Sequence, residues 1–531
     1  MPSTEDHSHE PHAEKGAHTT ASDDELVIPK GGYKHPLFQV FLLSFICFTC
    51  PGMFNALSGL GGGGQLDATT QDNGSVALYS SFAAMAFFGG SIVNKLGPRL
   101  SLTIGSSGYA LYIGSFLSYN INHNHGFVIG AGAILGLCAG MLWTAQGVLM
   151  LAYSTEATKG RYIAMFWMIF NTGAVIGSAV PLAQTFHAAG TEEKPVSNGV
   201  YIGFIVITAA GFLSTLVLAD PSTMRRADGS RAVVVAQLSW IDEFRGAFLG
   251  LVYDPLILLL LPYFWASNWF YTWQFNDFNL ALFNPRTRSL NNLLYWLSQI
   301  LGAGLFGIFL DSSRLTRKSR AYGGWIVLFA MIMATWGGNY VVQQTYDRAT
   351  VEDNTFRKTD IRDREYAGRA ILYIWNGISD SCWQTYAYWM IGAVSNNSRK
   401  LSVLVGIYKG VQSAGAAVGW RLDAEKTSYI AMLASTWGLL AGGLLLALPM
   451  IILRVEDHTW FEDDVLTGLD AAGHRVEDSH ENRGIRLADS HRGRDREYPQ
   501  QDATQQQYPY RERHHIPLQR TKDSKSPRPP D

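Results

Sequence analysis

Long apolar segments alternate with short polar ones through most of the chain. Between residues 37 and 453 this pattern predicts twelve helices, each about as long as a bilayer crossing requires. Glycine-rich or charged residues separate these segments, so we predict an all-α membrane protein. The helices are expected at 37–57, 75–93, 101–119, 127–153, 162–186, 199–219, 250–272, 290–310, 321–342, 367–394, 402–420 and 428–453.

Composition adds to this picture mainly by excluding other classes of protein. Of the 531 residues, 47% are hydrophobic and 16% are charged, and the net charge is -2. A near-neutral chain without a basic stripe is not expected to bind nucleic acid. The sequence has no nucleotide-binding loop and no clustered Ser, His and Asp set, so we predict neither an enzyme nor a cofactor. Cys47 and Cys50 have the spacing of metal ligands, but we expect buried thiols and no metal, because no second pair lies nearby.

The two ends of the chain and its middle differ from the apolar segments. We expect residues 1–35 and 454–531 to be disordered cytosolic tails. Residues 220–249 are predicted to form a cytosolic loop between two six-helix bundles at 36–219 and 250–453. Lys and Arg are more frequent in the short loops that face the cytosol when the N-terminus is inside, so both termini are predicted to be cytosolic. The plasma membrane and the vacuolar membrane both stay open.

Pairs of glycines recur in the two halves of the chain. Gly173 and Gly177 lie four residues apart in the fifth segment, and Gly415 and Gly419 have the same spacing in the eleventh. Glycines at this spacing let helix backbones approach closely inside a membrane. The recurrence predicts two parallel repeats of six helices, with these glycines at helix contacts.

A loop motif follows the second segment and recurs after the eighth. It is similar to the major facilitator signature G-xxx-D-R-x-G-R-R, which in that superfamily latches neighbouring helices on the cytosolic side. An asparagine here replaces the carboxylate and a lysine the first arginine, whereas the second copy keeps its carboxylate. The motif residues are Gly90, Asn94, Lys95, Gly97 and Arg99 in the first copy, and Gly307 and Asp311 in the second.

The fourth and fifth segments carry a narrower resemblance. Trp143-Thr-Ala-Gln146-Gly, Lys159-Gly-Arg-Tyr, Phe166-Trp and Phe170-Asn171 resemble the UNC-93-like branch of the superfamily, in particular its fungal members. The resemblance covers residues 37 to 453. It implies a major facilitator fold in which the first, fourth, seventh and tenth segments line a central cavity.

Polar residues on those four segments are the candidate site. A polar group in lipid is costly unless it faces a cavity or a partner, so it is a functional candidate. We therefore predict that a small solute or an ion binds among Asn55, Trp143, Gln146, Asn268, Trp269, Asn376, Asp380, Trp383 and Gln384.

Asp380 is the sharpest candidate in this set. The helical rise puts it near the middle of the membrane, where a carboxylate could bind a cation or take up a proton. The alternative is a static hydrogen-bond acceptor or half of an ion pair, with Lys409 as the nearest partner by sequence. Asn171 and Gln412 fall at similar depths in the two halves. They either face each other across the site or hydrogen bond between packed helices.

Two functions from different classes fit these patterns. The first is a transporter that moves a small solute or an ion across the membrane by alternating access. The second, implied by the UNC-93 resemblance, is a non-transporting regulator or scaffold of an ion channel, or a trafficking chaperone for another membrane protein. The expected partners are the lipid bilayer, the solute or ion and, in the second case, another membrane protein.

Overall fold

Helices make up most of the described part of the chain. The computed structural model describes residues 32–65, 67–153, 159–186, 195–220, 223–225, 255–312, 314–353, 355–394 and 398–456. Within these ranges, an isolated β-bridge pairs Phe283 with Thr359. Almost all of the predicted tails and of the predicted inter-bundle loop lies outside the described residues.

The first half of the chain contains one broken helix followed by longer ones. Pro51 cannot donate a backbone hydrogen bond, so the predicted first segment breaks at Cys50. The helices are α1 Pro36–Thr49, α2 Pro51–Gly59, α3 Thr69–Leu96, α4 Pro98–Asn122, α5 His125–Tyr153, α6 Lys159–Thr185 and α7 Asn198–Ser214.

The second half also opens on a broken helical segment. A 3-10 helix, Pro255–Leu260, leads into α8 Leu261–Ala266, a short turn, α9 Phe270–Thr272 and a π-helix, Trp273–Leu280. The helices that follow are α10 Pro285–Leu310, α11 Arg317–Gln343, α12 Arg348–Glu352, α13 Tyr366–Val394, α14 Ser398–Ala424 and α15 Tyr429–Arg454.

The seventh segment extends further than the sequence pattern predicts. We expected it to end at residue 272, but helical structure continues to Leu280. The added residues include Asn276, Asp277 and Asn279, whose polarity is typical of a loop. The structure buries all three inside the protein, which explains why hydropathy ends the segment too early.

Helices occupy each of the twelve predicted segments within the described residues. Seven of these helices are long and apolar enough to cross a membrane. The others contain more polar residues, so a full count of twelve crossings stays a prediction. The seven are Pro36–Gly59, His125–Met150, Met165–Thr185, Asn198–Val217, Pro285–Leu310, Arg317–Gln343 and Tyr429–Arg454.

The same close helix contact occurs at both helix breaks. A Cβ added at Gly173 of α6 would lie 2.3 Å from the carbonyl oxygen of Phe48, just before the break between α1 and α2. A Cβ added at Gly415 of α14 would lie 2.2 Å from the carbonyl oxygen of Trp265 in α8. These separations are too short for any side chain, so each position requires glycine while the backbones stay in place. The two halves of the chain thus repeat one packing device.

The second glycines of the two pairs, Gly177 and Gly419, differ in how closely their neighbours approach. A Cβ at Gly177 would lie 2.6 Å from the Cβ of Ala56 in α2. At Gly419 the nearest atoms, on Thr272 and Trp269, would be 3.5 Å away, which is ordinary contact. The second half therefore tolerates more at this position than the first. Between the halves, α14 packs along α3 and α10 packs along α6.

The first loop motif joins α3 to α4. Gly90, Asn94 and Lys95 lie near the end of α3, which Gly97 terminates with a φ of 80°. Arg99, in the first turn of α4, donates a hydrogen bond to the carbonyl oxygen of Leu216, just after α7. The side chain of Asn94 lies outside the described part, and the latch stays a prediction.

The second copy lies at the end of α10. Gly307 is in its last turn, and Asp311 follows that turn as the capping residue. Burial raises the pKa of the Asp311 carboxyl, and the charge of Arg320 opposes this shift. Arg320 also donates a hydrogen bond of 2.8 Å to the carbonyl oxygen of Leu310, so it lies against this corner.

The close contact at Gly415 can be tested by adding one methyl group. Gly415→Ala should lower the thermal midpoint in detergent and cost about 1–3 kcal/mol, because α14 and α8 must separate. Gly304→Ala in α10 is the matched control, since a Cβ there meets nothing within 4 Å. It should leave the midpoint unchanged or raise it slightly. Equal midpoints for the two variants would contradict the packing role.

Candidate functional site

A central cavity of about 130 Å³ lies between the two halves of the chain. Its walls combine aromatic rings, among them Trp143, Trp167 and Trp296, with polar side chains from both halves. A cavity of this size holds several water molecules or one small solute. The polar side chains include Asn55, Asn171, Asn268, Gln299, Gln384, Lys409 and Gln412.

The structure brings four of the nine predicted site residues to the cavity wall. Asn55 reaches it from α2, Trp143 from α5, Asn268 from the turn after α8, and Gln384 from α13. These are the segments from which the resemblance implies a cavity. Their role in binding stays a prediction.

The other five predicted residues lie outside the described lining of the cavity. Asn376 exchanges hydrogen bonds with Asn339 at 2.9 and 3.2 Å, and Trp269 donates one to Ser435. Trp383 stacks on Tyr263, with ring centroids 4.1 Å apart. The side chains of Asn376, Trp269 and Trp383 therefore make contacts between helices. The remaining two are Gln146, which is half-buried, and Asp380.

Asp380 lies directly behind the cavity wall. Its Oδ2 accepts hydrogen bonds from the hydroxyl of Tyr295 at 2.9 Å and from the amide of Gln299 at 2.6 Å. Its Oδ1 accepts a longer one, 3.4 Å, from the amide of Gln384. A buried carboxylate needs such donors because it has lost its water. Since Gln299 and Gln384 line the cavity, two amides separate the carboxylate from the cavity space.

A line of amides connects Asp380 to Lys409. The amide nitrogen of Gln412 donates to the Oε1 of Gln384 at 3.1 Å, and Lys409 Nζ donates to the Oε1 of Gln412 at 2.9 Å. The Oδ1 of Asn268 accepts from both glutamines, at 3.2 and 2.9 Å. The sequence left open whether Lys409 forms an ion pair with Asp380. The structure links the two opposite charges through two glutamines.

Lys409 is also surrounded by aromatic rings. Its ammonium nitrogen lies 5.0 Å from the ring centroid of Tyr408, 5.3 Å from that of Tyr388 and 5.6 Å from that of Trp143. Positive charge over aromatic faces is favourable, and more so where water is excluded. This ring cluster explains how α14 can carry a lysine inside the bundle.

Several lining residues were not predicted as site residues. Tyr79, Tyr109 and Gln299 come from segments outside the four that the resemblance implies. Gln299 gave a usable signal, because it is an amide within the apolar run of α10. The tyrosines gave none, since aromatic residues are common on every segment. The sequence left open whether Asn171 and Gln412 face the site or bond between helices. Gln412 donates a hydrogen bond to Asn268 in the seventh segment, and Asn171 lines the cavity from α6.

The helix ends near Arg348 hold a second polar cluster, and we call this side of the protein the Arg348 end. Arg348 pairs with Asp423 near the end of α14 and lies 3.4 Å from Asp277. Asn276 donates to Asp72 of α3 at 2.7 Å and to Asp423 at 2.8 Å. Burial disfavours the charge of Arg348, but Asp277 and Asp423 raise its pKa, so the guanidinium stays charged. The three carboxylates are at most 3% exposed, so they depend on the Arg348 guanidinium and the Asn276 amide to replace their lost contacts with water.

At the same end, three side chains of the second half donate hydrogen bonds to backbone carbonyl oxygens of the first half. Asn292 of α10 donates to the carbonyl oxygen of Ala56 at 2.7 Å. Asn279 donates to that of Gly59 at 3.1 Å. Arg288 donates to that of Gln65 at 3.3 Å. Each bond joins the second half of the chain to the first, so the two halves are in direct contact at the Arg348 end.

Comparisons with known proteins agree with this architecture. Residues 69–446 match the family described as ion channel regulatory protein UNC-93. A UNC93-like protein of Schizosaccharomyces pombe is 48% identical over 434 residues, which cover 82% of this chain and 86% of that protein. The chain belongs to the UNC-93 family. The predicted UNC-93-like branch is thereby confirmed.

A plant relative supports the same family assignment, and a solved structure shares the fold. UNC93-like protein 1 of Arabidopsis thaliana is 40% identical over 437 residues, 82% of this chain and 93% of that protein. The crystal structure of the fucose:proton symporter FucP of E. coli superposes with a TM-score of 0.51 and 12% identity. It covers 80% of this chain and 100% of that chain. The likeness shows the major facilitator fold. Together with the seven helices that are long and apolar enough to cross a membrane, it indicates that this UNC-93 protein is an integral, multi-pass membrane protein.

The Arg348 cluster yields a prediction with an internal control. Arg348→Ala should lower the free energy of unfolding by about 3 kcal/mol, because it leaves Asp423 and Asp277 buried without a cation. Arg357→Ala removes another arginine–aspartate pair, whose arginine side chain is 80% exposed, against 21% for Arg348. Arg357→Ala should change the free energy of unfolding by no more than about 0.5 kcal/mol. Thermal unfolding in detergent measures both, and a similar loss in the two variants would count against the cluster.

Proposed function

We propose that this UNC-93 family member is a transporter that moves a small solute or an ion through the central cavity by alternating access. The observation that carries the proposal is the convergence of polar side chains from both halves on one cavity. Polar and charged groups inside a membrane bundle are costly unless they pair with one another or face a cavity, and those that face a cavity are functional candidates. The reaction is binding and release, with no chemical step and no cofactor.

The contacts between the halves at the Arg348 end support the alternating part of the proposal. Alternating access needs contacts that close one side of the cavity and that can break together. The bonds made by Asn276, Asn292 and Asn279 join the two halves there and involve only a few side chains. We propose that this end opens when the halves rock about the cavity.

Asp380 is the proposed coupling group. Among the described residues, no lysine or arginine nitrogen lies within 4.0 Å of its carboxylate. Its donors Gln299 and Gln384 line the cavity, so a change in its charge reaches the cavity through them. Proton uptake by Asp380 would let these amides turn toward a bound solute.

Orientation and membrane belong to the same proposal. Both termini are proposed to be cytosolic, which puts the Arg348 end outside the cell or inside the vacuole. The plasma membrane and the vacuolar membrane are the two candidates.

A regulatory role is the second candidate function. It is supported by the description of the matching family as ion channel regulatory protein UNC-93. A scaffold for a channel, or an escort for another membrane protein, needs neither an opening at the Arg348 end nor a solute in the cavity. The two experiments below separate the candidates on these grounds.

The first experiment measures access to the cavity. A reporter cysteine, Asn55→Cys, is labelled with an impermeant maleimide added from the Arg348 end, since the native cysteines in the described part are buried. Asn276→Ala should speed labelling several-fold, because it removes the bonds to Asp72 and Asp423. Glu352→Gln, an exposed change at the same end, should not. Equal labelling rates in the two backgrounds would speak against alternating access.

The second experiment measures coupling. Proteoliposomes with a trapped pH dye are exposed in turn to sugars, amino acids, organic acids and inorganic cations. One class should change the internal pH with the wild type. Asp380→Asn should abolish the pH change while the same solute still raises the thermal midpoint of the variant. Asp353→Asn, in an exposed loop, is the control. If no class moves protons or stabilises the protein, the scaffold replaces the transporter.

A further inference from the structure

The charge that faces the cavity is positive. Among the described lining residues, Lys409 is the one with a charged side chain. The carboxylate of Asp380 is excluded from the lining because Gln299 and Gln384 stand in front of it. A solute in the cavity therefore meets the ammonium group directly and the carboxylate only through the side chains that donate hydrogen bonds to it.

Lys409 has capacity for a further partner. Its ammonium group carries three donors, and its one hydrogen-bond acceptor in the described part is Gln412. No carboxylate oxygen of the described residues lies within 4.0 Å of it. The rings of Tyr408 and Tyr388 stabilise the charge without occupying those donors. An anionic group is the ligand that such a site lacks.

The amide line supports this polarity. Lys409 donates to Gln412, Gln412 donates to Gln384, and Gln384 donates to Asp380. In each of these three links the donor lies on the side of Lys409 and the acceptor on the side of Asp380, so the amide dipoles run from the positive to the negative charge and reinforce one another. The amide of Gln384 also donates to the backbone carbonyl oxygen of Ser267 at 2.8 Å. The amide oxygens of the line already accept hydrogen bonds within it. An anion at Lys409 would therefore compete only with the oxygen of Gln412 for the ammonium donors.

Flat apolar surfaces stand beside the ammonium group. Trp143 contributes both to the cavity wall and to the ring cluster at Lys409. Trp167 is nearly parallel to it, at 24° and 6.5 Å between centroids, and Phe170 meets it edge to face at 5.5 Å. A planar ring would pack on these surfaces with its charged substituent at Lys409.

We infer that the cavity binds a small organic anion with a flat apolar body, whose negative group pairs with Lys409. The inference rests on the proposed function, since it names the substrate class of the same cavity. It also departs from the expectation that Asp380 binds a cation in the cavity. The cavity volume of about 130 Å³ limits the anion to a small molecule.

Four probes that vary charge and ring separately test this inference. Benzoate has both features, benzamide has the ring without the charge, acetate has the charge without the ring, and benzylammonium has the opposite charge. Binding to the purified protein is followed by quenching of tryptophan fluorescence, since Trp143, Trp167 and Trp296 line the cavity. Benzoate should bind at least about tenfold tighter than each of the other three probes.

Three variants locate the charge that selects the anion. Lys409→Gln should remove the preference for benzoate over benzamide, and Lys409→Arg should keep it. Lys426→Gln, an exposed lysine paired with Glu352, is the control and should bind like the wild type. If Lys409→Gln does not fold, the ratio of benzoate to benzamide affinity in the wild type decides. Equal affinities for these two probes, tighter binding of benzylammonium, or no binding of any probe overturns the inference.

The same probes keep this inference separate from the proposed function. If benzylammonium binds and moves in proteoliposomes in a way that depends on Asp380, transport stands and the anion inference fails. If benzoate binds with the expected Lys409 dependence but is not taken up, and labelling of Asn55→Cys does not change, the anion site stands and transport fails.

Discussion

A carboxylate inside an apolar bundle must be given hydrogen-bond donors, and this constraint at Asp380 organises the centre of the protein. Tyr295 and Gln299 supply donors from α10, and Gln384 supplies one from the same helix as Asp380. These donors cannot turn freely toward the cavity while they hold the carboxylate. The remaining acceptor of Gln384 is taken by Gln412, and the network thereby extends to α14. One buried charge thus fixes the relative positions of three helices that surround the cavity.

The halves of the chain are held by two kinds of contact with different mechanical properties. Within each half, Gly173 and Gly415 place backbone against backbone, and such contacts depend on shape alone. Across the Arg348 end the halves are joined by side-chain hydrogen bonds, such as those of Asn276 and Asn292. Hydrogen bonds in membrane proteins contribute on average only about 0.6 kcal/mol each. The halves also pack directly, α14 along α3 and α10 along α6, so the hydrogen bonds at the Arg348 end are the contacts that must break if the halves rock as proposed.

Hydropathy predicted where the helical segments lie, and the glycine spacing predicted the contact that recurs in the two halves. Both succeed because segment length and glycine spacing are properties of a single helix. It failed at residues 273–280, since a buried polar helix has the composition of a loop. Helical rise put Asp380 at a central depth, but it carries no information on which face of α13 meets the cavity. Whether a side chain lines a space or stands behind it depends on neighbours such as Gln299, which come from other parts of the chain. The same limit explains why the sequence left open whether Lys409 forms an ion pair with Asp380.

The separation of Asp380 from Lys409 has a consequence for coupling. The two opposite charges balance each other across the amide line while the cavity is empty of solute. The proposed anion adds one negative charge beside Lys409, and a proton on Asp380 removes one from the other end of the same line. Moving both together leaves the net charge of the bundle centre unchanged, whereas moving either alone leaves an unbalanced charge in a medium of low dielectric constant. The electrostatics of the two proposed sites therefore favour movement of the anion and the proton in the same direction.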